Sequence, residues 1–137
     1  MRVLVCGGRN LDPSTVWNWL EANAHEECCD RLNRASHVPV TYIIQGASSG
    51  ADAAAEQWAR SSEIPILRFP ADWRRHGKAA GPIRNREMLL EGRPDVVIAF
   101  PGGRGTADMV RQAEAAGVPV IRAAFSAHPA SSSQSAE

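Results

Sequence analysis

Val96-Val97-Ile98-Ala99-Phe100-Pro101-Gly102-Gly103-Arg104-Gly105-Thr106 is an unbroken apolar run that ends in a glycine-rich turn. Ala107 to Ala116, which follows, has helical character. A run apolar at successive positions reads as a strand covered on both faces, which belongs inside a parallel sheet. A strand that turns through glycines into a helix exposes backbone N–H groups, and the helix start adds partial positive charge. Such a corner favours phosphate or another oxyanion. Three glycines within four positions also need a reason, because each costs about 0.5–1 kcal/mol relative to alanine in regular structure. A tight turn alone would usually need one.

The same pattern recurs along the chain. Arg2 to Cys6 is a short apolar strand that runs straight into Gly7-Gly8-Arg9. Asp12-Pro13-Ser14 reads as a helix start. Val16, Leu20, Ala24, Cys28 and Leu32 then recur every fourth residue, a helical stripe that drifts around its axis. Thr41 to Ile44 is β-branched and aromatic and forms the second strand, followed by the small-residue turn Gly46 to Asp52. Ala51, Ala54, Ala55, Trp58 and Ala59 make the next helical face. Ile64 to Phe69 is a third strand, placed at an edge by Pro65. Pro70 to Gly81 is basic and irregular. Pro82 opens a helix to about Glu91, Asp95 to Phe100 is the fourth strand, and Thr106 to Ala116 the fourth helix. Gly117 is its C-cap and Val118 to Ile121 the fifth strand.

Alternation of strands and helices predicts one Rossmann-like three-layer α/β/α domain with a parallel five-stranded sheet. Strand order 3-2-1-4-5 puts the topological switch between the first and fourth strands, where ligands bind. Gly7–Arg9, Gly46–Asp52 and Pro101–Thr106 then meet at one crevice. The domain is expected over residues 1–125, with a disordered tail over 126–137 that lacks any hydrophobic period.

Composition narrows the partners. Apolar residues at 44% and charged residues at 22% are ordinary for a soluble domain. Zero net charge argues against broad capture of nucleic acid or anionic membrane, while leaving room for a local basic pocket. No apolar run approaches the roughly 20 residues that span a bilayer, and the N-terminus reads as a strand rather than a signal peptide. A cytoplasmic location is the expectation. The adjacent Cys28 and Cys29 would hold a soft metal only if His25 or His37 converged on them, so neither a metal site nor a cofactor is expected. Cys28 is read as inward-facing and Cys29 as lying at the helix edge. Trp17 and Trp19 cannot both face one core from one helix, so one of them marks a homodimer interface.

The candidate ligand-binding residues are Gly7, Gly8, Arg9, Gly46, Ser48, Asp52, Trp73, Arg84, Asn85, Pro101, Gly102, Gly103, Arg104, Gly105 and Thr106. Arginine forks onto phosphate, and Arg84 shares a helix face with Met88. Trp73 can stack on a base or anchor its loop. Thr106 offers a hydroxyl that can also cap the helix. Asp52, at a helix start, either caps that helix or holds a ribose hydroxyl. The spacing matches neither a P-loop nor the dinucleotide G-x-G-x-x-G fingerprint.

Pro101–Thr106, Gly7–Arg9 and the Arg84 and Met88 pair resemble the SLOG superfamily, which includes the LOG phosphoribohydrolases and the DNA-processing protein A family. Gly46–Asp52, Ala71–Trp73, Gly81–Arg86 and Ala99–Ala107 resemble most the small YspA-like SLOG proteins, and the similarity spans residues 1 to 123. The resemblance implies a Rossmann-like fold that binds or senses a nucleotide or a phosphoribosyl or ADP-ribose-type ligand. For LOG enzymes it implies hydrolysis of the N-glycosidic bond of a nucleoside 5′-monophosphate. Those enzymes carry P-G-G-x-G-T-x-x-E and a lysine after the arginine. Here Met109 stands at the glutamate position and Asn85 at the lysine's. Glycosidic cleavage needs a carboxylate and a positioned water, for which Asp52, Glu87 and Asp108 are the candidates. Whether the chain is an enzyme stays open. Single-strand nucleic-acid binding, by analogy with the DNA-processing relatives, is disfavoured by the zero net charge and few aromatics.

Overall fold

The computed structural model describes residues 1–35 and 38–125. The expected tail over 126–137, and His37, lie outside the described residues. Five parallel strands form one sheet in the order β3-β2-β1-β4-β5. They are β1 (Arg2–Cys6), β2 (Tyr42–Gln45), β3 (Ile66–Arg68), β4 (Val96–Ala99) and β5 (Val120–Arg122). The switch point falls between β1 and β4, as the alternation of elements predicts. In register, Val3 to Cys6 sit opposite Val96 to Ala99, so both strands deliver their turns at the same level.

The pleat divides the apolar residues between two cores. Val3, Val5, Ile43, Val96, Ile98, Phe100 and Ile121 face α1 (Pro13–Trp19), α2 (His25–Arg31) and α3 (Ala51–Ser61). Leu4, Cys6, Ile44, Val97, Ala99 and Val120 face the other way, onto Met88, Met109, Val110 and Ala113. The first of these lies in Met88–Gly92, the continuation of α5 (Ala80–Glu87), and the other three in α6 (Arg104–Ala115). Helices thus cover both faces. None among the described residues is long and apolar enough to cross a membrane.

The drifting stripe on the first helix has a structural answer. A four-residue repeat overshoots an α-helical turn by about 40° at each step. The helix widens to i→i+5 bonding over Leu20–Ala24, between α1 and α2, without leaving helical dihedrals. That wider turn absorbs the drift, so Val16, Leu20, Ala24 and Cys28 all stay buried.

Several expectations are corrected. Cys29 is as buried as Cys28, with its thiol 3.7 Å from the Val38 carbonyl. Trp17 and Trp19 both pack against the first core, Trp19 edge-on to Phe100 at 5.3 Å. They flank buried Val16 and Leu20 on either side of α1, each partly buried, so their helical phase gives no reason to place one at an interface. Helix α6 begins at Arg104, not Thr106, with Gly103 at its N-cap and no side-chain cap. Thr106 is therefore inside the first turn and caps nothing. The irregular basic stretch holds a short helix, α4 (Trp73–His76), and α5 starts two residues before Pro82.

Candidate functional site

Three turns are laced together at the C-terminal ends of β1, β2 and β4. The Gly8 N–H donates to the Pro101 carbonyl at 2.8 Å, the Ala51 N–H to the Gly8 carbonyl at 3.1 Å, and Ser49 Oγ to the Arg9 carbonyl at 3.1 Å. Gly50 makes this lacing fit. Its φ is +69°, and a Cβ there would collide with the Gly8 carbonyl oxygen and lie 2.6 Å from the Arg9 carbonyl. Gly50→Ala is expected to cost about 2 kcal/mol, a fall in Tm of about 7 °C by thermal unfolding.

Between the turns opens a crevice of about 550 Å³. Gly7, Gly8, Arg9, Ser48, Asp52, Trp73, Arg84 and Asn85 line it, together with Gly103, Arg104, Gly105, Thr106 and Asp108. Gly46, Pro101, Gly102 and Glu87 do not. Gly46 lies beneath the Arg84 guanidinium, which donates to its carbonyl at 2.6 Å. Pro101 and Gly102 turn away into a smaller recess of about 280 Å³ against Ala107 and Arg122. Glu87 is exposed, two residues past Asn85 and thus about 200° round the helix. The sequence reading missed Cys6, Lys78, Gly81, Pro82, Met88 and Arg111 as wall residues. Helical spacing from Arg104 to Asp108 and Arg111 would have found the last of these.

The crevice is basic although the chain is neutral. Arg9, Lys78, Arg84, Arg104 and Arg111 face only Asp52 and Asp108. Trp73 stands at the mouth, 48% exposed, with the Arg9 guanidinium 5.6 Å from its ring centre. Burial, and then Arg9, pulls the Arg84 guanidinium below its ordinary value, opposed by Asp52. Burial, then Asp52, pushes the Cys6 thiol up to about 12, so it stays protonated and is no nucleophile at neutral pH.

The two acidic side chains differ in what they have left to offer. Asp108 is engaged at both oxygens. Its Oδ2 accepts from Asn85 Nδ2 at 3.0 Å and Gln112 Nε2 at 2.8 Å, and its Oδ1 from Arg111 at 3.2 Å. Buried Asn85 also accepts from Arg84 Nε at 3.0 Å and donates to the Gly105 carbonyl at 3.2 Å. Met109 is fully buried in the second core and plays no part in the crevice. Asp52 is 5% exposed, and all its bonds fall on Oδ2: from the Gly46 N–H at 3.1 Å, the Ser48 N–H at 3.2 Å and Ser48 Oγ at 2.8 Å.

Burial pushes the Asp52 carboxyl above its ordinary value of 3.8, against the Ser48 and Gly46 hydrogen bonds and Arg84. A folded value above the unfolded one means that its contribution is complete below about 3.8 and is lost as pH rises through the raised value. The Tm of Asp52→Asn relative to wild type is therefore expected to climb as pH rises from 4 to 8. A constant or shrinking difference contradicts this.

The turns of α6 and α3 leave a further asymmetry. A Cβ at Gly7 would lie 2.8 Å from the Cβ atoms of Ala51 and Phe100, and one at Gly102 2.8 Å from the Gly8 nitrogen. At Gly103 and Gly105 it would meet nothing within 4 Å, and neither residue has positive φ. The first hydrogen bond of α6 runs from the Ala107 N–H to the Gly103 carbonyl, so the Arg104, Gly105 and Thr106 N–H groups have no partner within the helix.

Comparison with known proteins places this geometry in a lineage. The model of the YspA, cpYpsA-related SLOG family matches residues 1–76. The chain is also similar to the Gene 61 protein of Mycobacterium phage D29. The two are 39% identical over 128 residues, covering 88% of this chain and 94% of the phage protein.

Proposed function

The chain belongs to the YspA, cpYpsA-related SLOG family, and from that premise we propose that its crevice binds a nucleotide or nucleotide-derived ligand, with phosphate on the α6 N-terminus. The observation that carries this reading is the pair Gly103 and Gly105. Neither position has positive φ and packing requires a glycine at neither, and Gly105, inside α6, has helical backbone that any residue adopts. What they leave is bare backbone at the crevice wall, beside uncapped N–H groups and under an excess of cations. A phosphate oxygen needs that close approach, and its charge meets both the helix dipole and the arginines. Trp73 supplies a flat apolar face for the base, with Arg9 beside it.

Thermal unfolding with the ribonucleoside 5′-mono- and diphosphates and ADP-ribose tests the reading. A ligand at 100 times its Kd stabilises by about 2.7 kcal/mol, a rise of about 9 °C. No rise with any of them at millimolar concentration sinks it.

A second reading, N-glycosidic hydrolysis of a nucleoside 5′-monophosphate, is favoured by one feature. Asp52 is a carboxylate in the crevice with an oxygen that has no partner among the described residues. Release of free base from nucleoside monophosphates, followed by chromatography, decides it. Binding without base release leaves the first reading alone.

A further inference from the structure

The free oxygen of Asp52 is the strongest unexplained feature of the crevice. The residue is almost wholly buried, yet Oδ1 has no hydrogen-bond partner among the described residues, while Oδ2 has three. Among the described residues no fully buried side-chain nitrogen or oxygen lacks a partner, so Oδ1 is open, and the space that Asp52 lines is the crevice. Oδ1 therefore offers a carboxylate lone pair to a ligand in the crevice, and a donor there gains a hydrogen bond to a charged group. Holding the Gly46–Ser48 turn does not explain the open oxygen, because Oδ2 alone does that and an asparagine carbonyl would serve.

Position narrows the donor. Asp52 follows β2, α6 follows β4, and β1 lies between. Two strand spacings, about 10 Å, separate those strands, a span that a sugar phosphate hydrogen-bonded at both ends covers. We propose that Asp52 Oδ1 accepts a hydrogen bond from a ribose hydroxyl of the ligand, so that the crevice selects ribonucleotides over their deoxy counterparts. The proposal rests on the nucleotide reading above. The groups facing the carboxyl are Ser48 from its own turn, Cys6 from β1 and Arg84 from α5. A hydroxyl donated to Oδ1 favours the charged carboxylate. Affinity for the ribose form therefore falls as pH drops from 8 towards 4, more steeply than affinity for the deoxy form.

The test is titration calorimetry with the four ribonucleoside 5′-diphosphates and their 2′-deoxy and 3′-deoxy counterparts, on wild type and Asp52→Asn. In wild type, deletion of one hydroxyl is expected to weaken binding roughly ten- to hundredfold, the range for a hydrogen bond to a charged group. In Asp52→Asn the preference shrinks below about threefold, while the ribonucleotide still raises Tm. Equal wild-type affinity for ribose and both deoxy forms overturns the proposal and leaves the nucleotide reading standing. So does a full ribose preference in Asp52→Asn, or a preference that follows the base amino groups instead. No binding of any diphosphate overturns this proposal, and the nucleotide reading falls with it when the monophosphates and ADP-ribose also leave Tm unmoved. The wild-type comparison decides even if the variant fails to fold.

Discussion

A Met109→Glu protein is expected to unfold about 14 °C below wild type and to release no base from any nucleoside monophosphate. The substitution restores the glutamate that the LOG signature carries three residues after its threonine. In this chain that position does not reach the crevice. Met109 is fully buried in the second core, on the α6 face that packs with Leu4, Val97 and Ala99. An ionised glutamate there would be a buried charge without a partner, which costs about 4 kcal/mol and so roughly 14 °C for a chain of this size. The acidic residue that α6 turns toward the crevice is Asp108, about 100° away and already held by Asn85, Arg111 and Gln112. Circular dichroism on heating measures the first half of the prediction and chromatography of free base the second. A variant as stable as wild type that cleaves a nucleotide would show that α6 rotates readily, and the assignment of faces would be wrong. The departure from the LOG pattern is thus built into two elements at once. Asn85, at the lysine's place, is the amide that holds Asp108 and the Gly105 carbonyl.

What the sequence makes legible here is whatever is local. Continuous apolar runs ending in glycine turns mark β1 and β4 as interior strands, Pro65 marks β3 as an edge, and the alternation of elements sets the order 3-2-1-4-5. What it hides is set by phase. Thr106 looks like a helix cap because threonine caps well, but α6 starts two residues earlier, at Arg104, and its N-cap Gly103 has no side chain to signal it. Asn85 and Glu87 look equally placed beside Arg84. Only the tertiary rotation of α5 buries one and exposes the other. The widened turn at Leu20–Ala24 answers a packing need between Val16 and Cys28 and has no residue signature of its own. The free oxygen of Asp52 is invisible for the same reason. The sequence shows a carboxylate at a helix start, and only the fold shows that its bonds all fall on one oxygen.

Gly105→Ala should uncouple ligand binding from stability, with the Tm unchanged or raised and nucleotide affinity lowered more than 100-fold. Gly105 lies in the first turn of α6 at φ negative, with no protein atom within 4 Å of an added Cβ. Alanine is the better helix former by up to about 1 kcal/mol, so the fold has nothing to lose. The methyl instead occupies the space through which a phosphate would approach the N–H groups of Arg104, Gly105 and Thr106. Loss of two charge-assisted hydrogen bonds at about 1.5 kcal/mol each amounts to about two decades of affinity. Gly117, at the other end of the same helix, is the control. Its φ is +78° and no atom lies near it, so that glycine serves the backbone conformation of the C-terminal cap. Gly117→Ala should lower Tm by about 3 °C, equivalent to about 1 kcal/mol, and leave affinity where it was. Calorimetry and thermal unfolding on both variants give four numbers whose signs are fixed in advance. If Gly105→Ala binds the nucleotide as wild type does, the bare backbone at the start of α6 is not kept for a phosphate.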